Sequence, residues 1–391
     1  MNWIYILSIL FIVAIIVYSF YLMCQKINDL SKEQGPWKKG DKDPLIGYKQ
    51  LQDAGADIPE KKEGEKRIVW IMHSYVPNVL AGSEITAESQ IEYLRGRGWT
   101  SYVLVHRWCV PEWQGTKIYP IEKGKITLSP HIQKLLQSAD ILAVQNYSIN
   151  DAVFQTEQYK KPTVIFLHTQ NDNRDSLSFR FGVPVYVVYN VNFLKLGSSN
   201  AHQSIVVHPK VDTNKFKIMK KNPKYVTLVN CNENKGGDLL PKIAAALPEV
   251  QFMGVKGGYF EQIIDPNPPK NLTYIENQED MTKVYEDTKI LLMPSKSETW
   301  GRVAVEAMAS GTPVIVNRSA GLMECVGKAA NTCDRSDLSC WIETISTLIK
   351  DQKAYDEASA KALDRVKELD AEDEFTRLEG FLEDIRRRHT D

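Results

Sequence analysis

Pro294-Ser-Lys-Ser-Glu-Thr-Trp-Gly-Arg-Val-Ala-Val-Glu-Ala-Met-Ala-Ser-Gly-Thr-Pro-Val-Ile-Val316 decides the reading of this chain. The run before it, Lys289-Ile-Leu-Leu-Met293, is short and apolar and reads as a buried strand. Pro294 and the polar cluster after it stop that strand. From Gly301 the pattern turns helical, with Val303, Ala304, Ala307 and Met308 on one face. Gly311 closes the helix and Thr312-Pro313 prevents its continuation. Pro313 to Val316 is the next strand. Strand, loop, helix and strand in this order are the building block of a parallel sheet.

Two carboxylates sit in the stretch, Glu298 in the loop and Glu306 inside the helix. Between them lies the helix N-terminus at Trp300, Gly301 and Arg302. Its unsatisfied N–H groups and dipole favour a phosphate, and Gly301 allows close approach to the backbone. Glu306 lies about 7–8 Å along the axis from Gly301, at 1.5 Å per residue. That suits a ribose attached to a diphosphate, because a carboxylate accepts hydrogen bonds from vicinal hydroxyls. Glu298 lies on the other side of the phosphates, where a sugar would be. The stretch reads as a cradle for a nucleoside diphosphate sugar.

Glu298-x7-Glu306, followed by Ala-Met-Ala-Ser-Gly-Thr-Pro-Val-Ile, resembles the E-x7-E signature of the retaining glycosyltransferases of family 4, the group 1 glycosyltransferases. The resemblance covers about residues 67–388 and is strongest over 225–325. It implies an α/β chain of GT-B fold, two Rossmann-like domains with a cleft between them. The expected activity is transfer of a sugar from a nucleoside diphosphate sugar to a hydroxyl acceptor, with retention of configuration. The donor counts as a substrate, and no cofactor is expected. An ordinary solvated helix accounts for Glu306 alone, but not for Glu298, Gly301 and the Gly-Thr-Pro exit in register.

Further candidates fall on strand ends and loops. After strand Val226–Val229 comes Asn230-Cys-Asn-Glu-Asn-Lys-Gly-Gly237, where Lys235-Gly236 resembles the family's diphosphate-binding pair. A Lys on a glycine-rich turn is a good anion ligand. The family's Arg five positions earlier is replaced by Asn230, so one of the two cationic clamps is missing or is supplied elsewhere, with Arg302 the candidate. Ile275 ends the strand after which the family recognises the base. In the first half, strand Ile68–Met72 leads to Gly82-Ser83 at a helix start, a second phosphate-competent end. Strand Thr163–Leu167 ends at His168, which resembles the His that contacts the donor sugar. Asn171, Asp172 and Arg174 follow in a polar loop. Ala320–Glu324 resembles a loop near the sugar. On this reading Glu298, Lys235 and His168 are catalytic. Glu306, Gly301, Arg302, Trp300, Gly82, Ser83, Asn230 and Ile275 bind the donor. No Asp-x-Asp metal pattern occurs in residues 67–391, and no metal is expected.

The 391 residues carry a formal net charge of −1, which gives no bulk basicity for a nucleic-acid partner. Residues 3–23 are almost wholly apolar and long enough to cross a bilayer, which needs about 20 residues. No basic n-region or small-residue cleavage site marks a signal peptide. Lys26, Lys32, Lys38, Lys39 and Lys42 follow the span, which places the bulk of the chain in the cytoplasm. The expected layout is a membrane anchor at 1–25 and a charged tether at 26–66. An acceptor domain follows at 67–218, a donor domain at 219–370, and a helix at 371–391 returning to the first domain. The partners expected are a nucleotide sugar, a glycan or lipid-linked acceptor, and the membrane. The six cysteines form no C-x-x-C pair and are expected to be reduced. The rivals are a catalytically weak sugar-nucleotide- or glycan-binding protein and an epimerase of the same fold.

Overall fold

The computed structural model describes residues 58–389, apart from 107–109, 122–128, 146–148, 170–181, 196–201, 219–221, 258–260 and 279. The expected span at 3–23, most of the tether, Cys24, Cys109, Asn171, Asp172 and Arg174 lie outside the described residues. Among the described residues, no helix is long and apolar enough to cross a membrane.

The first half builds β1 (Lys66–Met72), α1 (Gly82–Gly96), β2 (Trp99–Val105), β3 (Glu112–Trp113), β4 (Thr116–Pro120), α2 (Pro130–Ser138) and β5 (Ile141–Gln145). It continues with α3 (Ile149–Thr156), β6 (Thr163–Leu167), β7 (Val185–Tyr189), α4 (Asn192–Lys195) and β8 (Gln203–Val206). These strands form one sheet in the order β3-β4-β2-β1-β5-β6-β7-β8, parallel throughout except for the β3–β4 hairpin. The hairpin is absent from the periodicity reading: β3 has only two residues and β4 carries the mixed run Thr-Lys-Ile-Tyr-Pro. β5, β6 and β7 are buried along their whole length. That is what unbroken apolar runs give when helices cover both faces of a parallel sheet.

The second half builds β9 (Tyr225–Val229), α5 (Leu240–Ala246), β10 (Gln251–Val255), β11 (Leu272–Ile275), α6 (Thr282–Asp287), β12 (Thr288–Met293) and α7 (Arg302–Ala309). β13 (Val314–Val316), α8 (Ala320–Val326), β14 (Asn331–Thr332), α9 (Leu338–Lys350), α10 (Gln352–Ala371) and α11 (Glu374–Arg388) follow. The parallel sheet runs β11-β10-β9-β12-β13-β14. Ala320–Glu324 is therefore the start of a helix rather than a loop: Ser319 enters it with extended backbone and Gly327 ends it.

The last helix, α11, buries Leu378, Phe381, Leu382 and Ile385 in the core beneath the first sheet, among Ile68, Trp70, Phe166 and Tyr186. It is tied there at Arg97 Nε, which donates to Glu379 Oε2 at 2.8 Å. So the chain passes from the first sheet to the second after β8 and returns between α10 and α11. Each sheet reverses its strand order at its first strand, β1 and β9. Ligand crevices of open α/β sheets form at such points.

One expectation is overturned. Cys333 and Cys340 are joined by a disulfide across 7 positions, linking the end of β14 to α9. A C-x6-C spacing carries no signature, so the pairing was not visible in sequence. Cys231 and Cys325 are free and buried.

Candidate active site

A cleft of about 380 Å³ opens at the two switch points. The second half contributes its floor. After β9 the chain turns tightly through Lys235, Gly236 and Gly237. Gly236 has φ +104°, and a Cβ there would lie 2.3 Å from Pro294 Cγ. A Cβ on Gly237 would lie 2.0 Å from the Cys231 carbonyl oxygen. The turn is thus packed beneath Pro294, and the Lys235 N–H donates to Asn232 Oδ1 at 2.9 Å. This fixes the stem of Lys235, whose ammonium pairs with the Glu298 carboxylate. Ser295 Oγ donates to the same Glu298 oxygen at 3.1 Å.

Glu298 leads into α7. Gly301 caps this helix with φ +99°, and a Cβ there would lie 2.6 Å from Leu322 Cδ2. No side chain caps α7 and no acidic residue occupies its first turn. Its leading N–H groups and dipole therefore favour negative charge where Gly301, Arg302 and Val303 line the cleft. Glu306 also lines it, one turn further. Its Oε2 accepts from Tyr285 Oη at 2.8 Å, and its Oε1 lies 3.8 Å from Arg302 Nη2. Burial pushes the Glu306 carboxyl up, with Arg302 and the Tyr285 hydrogen bond opposing.

Arg302 is not the free second cation that the sequence asked for. Its Nη1 donates to the Lys210 carbonyl at 2.8 Å and its Nη2 faces Glu306. Lys256, after β10, also lines the cleft, paired with the well-exposed Glu276. Asn230 sits between, with φ +67°, and its Oδ1 accepts from Gln262 Nε2 at 3.1 Å. A Cβ on Gly257 would lie 2.2 Å from the Asn230 side chain. A short side chain that tolerates the left-handed region fits there, and a long Arg would meet the Lys256-Gly257 backbone.

The first half forms the facing wall. Gly82 begins α1, which also lacks a side-chain cap. A Cβ on Gly82 would lie 3.6 Å from Arg302 Cδ, so the two helix starts adjoin. Ser83 lines the cleft, and its hydroxyl donates to Glu84 Oε2 at 2.7 Å. His168, at the end of β6, lines the cleft with its Nε2 buried and, among the described residues, without a hydrogen-bond partner. Burial pushes its pKa down to about 4, so the ring is neutral near pH 7. Asn190, after β7, has an equally orphaned Oδ1, and its Nδ2 donates to the His168 carbonyl at 3.4 Å. Trp300 adds a third orphan, its buried Nε1. Buried polar atoms are almost always paired in a folded protein, and a ligand in this cleft could pair these three.

The structure thus brings Lys235, Glu298, Trp300, Gly301, Arg302, Glu306, Asn230, Gly82, Ser83 and His168 to one cleft. It does not bring Ile275 there. That side chain packs against the small apolar cluster of Met253, Val255 and Val284, as the last residue of a strand paired only with β10. Asn277 and Gln278, just beyond the strand, line the cleft in its place. Glu324 is also elsewhere, bonded to His208 and Asn192. Asn190 was missed: it is one polar residue after an apolar run, a pattern that many loops share.

Residues 210–365 match the family described as "Glycosyl transferases group 1". Over 118 residues the chain is 34% identical to a D-inositol 3-phosphate glycosyltransferase of Corynebacterium efficiens, covering 29% of this chain and 26% of that protein. Over 144 residues it is 24% identical to a sulfoquinovosyl transferase of Arabidopsis thaliana, covering 35% and 28%. The chain thus spans little more than a quarter of the length of these curated relatives. Among solved structures, a glycosyltransferase of Rickettsia africae aligns with a TM-score of 0.64 at 14% identity, over 82% of this chain and 99% of that one. Anabaena HepE in complex with UDP-glucose aligns at 0.65 and 16%, over 81% and 98%. These likenesses establish the α/β GT-B-like fold.

Proposed function

We propose that this protein is a membrane-anchored glycosyltransferase that moves a sugar from a nucleoside diphosphate sugar to a hydroxyl acceptor, with retention and without a metal. The observation that carries the reading is the meeting of Lys235 and Glu298, 63 positions apart, beside an uncapped helix start. Both residues, and Glu306, lie inside the segment that matches the group 1 family.

In this reading the donor diphosphate lies across the start of α7. Lys235 leaves Glu298 for the phosphates, Lys256 supplies the second cation, and Glu306 accepts from the ribose hydroxyls. Asn277 and Gln278 meet the base. The sugar sits between Glu298 and the orphaned His168 Nε2 and Asn190 Oδ1. As the bond from the anomeric carbon to the phosphate oxygen breaks, negative charge grows on the diphosphate. Lys235 and the helix end stabilise it, which is electrostatic catalysis by groups already in place. The acceptor hydroxyl attacks on the face the diphosphate leaves, and a departing phosphate oxygen takes its proton. Residues 3–23 hold the enzyme at the membrane, with residues 67–391 on the cytoplasmic side, which suits a lipid-linked or surface-glycan acceptor.

The relatives fit this reading: one is a D-inositol 3-phosphate glycosyltransferase, and one solved neighbour is in complex with UDP-glucose. Screening UDP-, GDP- and ADP-sugars against the full chain, for a rise in melting temperature and for slow hydrolysis, tests it. One donor class should do both, in EDTA. A panel in which none binds would overturn the reading. A donor that binds but is never hydrolysed or transferred would leave a sugar-nucleotide-binding protein.

A further inference from the structure

The chain crosses between its two sheets twice, and one side chain joins the crossings. His208 follows β8 on the outward crossing. Its Nδ1 lies 2.8 Å from Glu374 Oε1 and 3.2 Å from Glu372 Oε2, both on the return crossing. Its Nε2 lies 2.8 Å from Glu324 Oε1, on α8 of the second half. Its ring stacks on Trp300, with centroids 4.4 Å apart and an interplanar angle of 15°. The opposite side of this arrangement is the cleft, which Trp300 also lines. Three carboxylates around one imidazole require its protonated form, in which both ring nitrogens donate.

We propose that His208 is the pivot of the cleft: a positioning residue whose imidazolium ties both crossings and α8 together, and so sets how closely His168 and Asn190 face Lys235 and Glu298. The inference deepens the transferase reading and rests on it for its catalytic consequence only. The surroundings reinforce the tie. Lys210 Nζ donates to the Asp370 and Glu372 carbonyls at 3.2 Å, and Thr213 Oγ1 donates to Asp370 Oδ2 at 2.6 Å. Arg377 Nη1 bonds Glu374 Oε2 at 3.1 Å, and Arg365 Nη2 donates to the Glu324 carbonyl at 2.9 Å. These cations partly balance the carboxylates but reach none of the three oxygens that bond His208. Burial disfavours a charged His208, yet its hydrogen bonds with Glu374, Glu324 and Glu372 outweigh it and raise the pKa to about 9. The tie's contribution to stability is therefore fully present below pH 6.5 and is lost as pH rises through 9, where the folded ring itself gives up its proton.

The test uses the full chain in detergent, with small-angle scattering of the free protein from pH 6 to 10, UDP binding, and UDP-glucose hydrolysis. The parent should show a constant radius of gyration up to pH 8 and an increase near 9. His208→Gln should show the larger radius at every pH, without the step. Its hydrolysis rate at saturating donor should fall on the order of tenfold, as misplaced walls cost orientation. Its UDP affinity should stay within about twofold, because the nucleotide lies on the second half. Glu372→Gln, at the most exposed of the three partners, guards against a variant that does not fold; it should move the step to lower pH. Parent-like scattering and turnover in both variants would reduce His208 to packing. A rise in melting temperature with Zn2+ or Mn2+, absent from His208→Gln, would overturn the pivot in favour of a cation site. Scattering needs no nucleotide, so the pivot stands or falls separately from the transferase reading.

Discussion

Lys235 and Glu298 form an ion pair in the cleft, each on a different loop of the second sheet. On the transferase reading, an arriving diphosphate competes with Glu298 for the three N–H donors of the Lys235 ammonium. Lys235→Ala should weaken UDP binding and also slow turnover at saturating donor, because charge grows on the diphosphate as the bond breaks. Glu298→Gln should act differently: it frees Lys235, so UDP binds as well as or better than to the parent, while transfer falls. Calorimetry and single-turnover assays separate the two. Equal losses of binding in both variants would contradict the division of roles.

Glu306 offers a second handle. Glu306→Gln keeps the volume and an acceptor for Tyr285 while removing the charge. Loss of hydrogen bonds to a charged acceptor costs about 1.5–3 kcal/mol. That is roughly a 10- to 150-fold weaker donor affinity. UDP should lose the same factor, because it keeps the ribose. Inorganic pyrophosphate, measured in competition, should lose much less; an equal loss would mean that Glu306 acts through Arg302 and not on the ribose.

His168 makes a pH prediction. Its folded pKa of about 4 lies below the ordinary 6.5, because burial penalises the charged ring. Between these values the unfolded chain takes up a proton that the folded one refuses. Its contribution to stability is therefore complete above pH 6.5 and declines as pH falls toward 4. His168→Gln should lose less melting temperature than the parent over that interval. Parallel melting curves would mean that the ring is solvated.

The disulfide tests the orientation inferred from the lysines. The cytosol keeps such pairs reduced. With residues 67–391 in the cytoplasm, alkylation of intact cells before lysis should label both Cys333 and Cys340, and the bond should appear only in purified protein left in air. A bond already present in cells would place the domain in an oxidising compartment.

The second-sheet side of the cleft was legible because its residues are local: Glu298, Gly301 and Glu306 share one loop and one helix, and spacing alone fixes their relation. His168 was legible as the polar stop of an apolar strand. Lys256 and Asn190 were not, since only the meeting of the halves shows which loops face each other. The His208 cluster joins residues up to 166 positions apart and leaves no periodic trace. Ile275 failed for a simpler reason. An apolar side chain at a strand end finds apolar neighbours, and the polar residues that follow it are the ones left at the cleft.

The packing of Gly236 and Gly237 beneath Pro294 has a consequence for mutational tolerance. In a saturation library of this chain, both positions should return glycine alone, because any Cβ meets a ring carbon or a backbone oxygen that cannot yield. Gly321, whose Cβ would lie 2.2 Å from the Thr299 carbonyl oxygen, should behave likewise. Gly380 is the contrast: it sits inside α11 with nothing within 4 Å of a Cβ. There alanine should be enriched, with about 1 kcal/mol of helix propensity in its favour. Glycine content by itself therefore says little about where this sequence is free to drift.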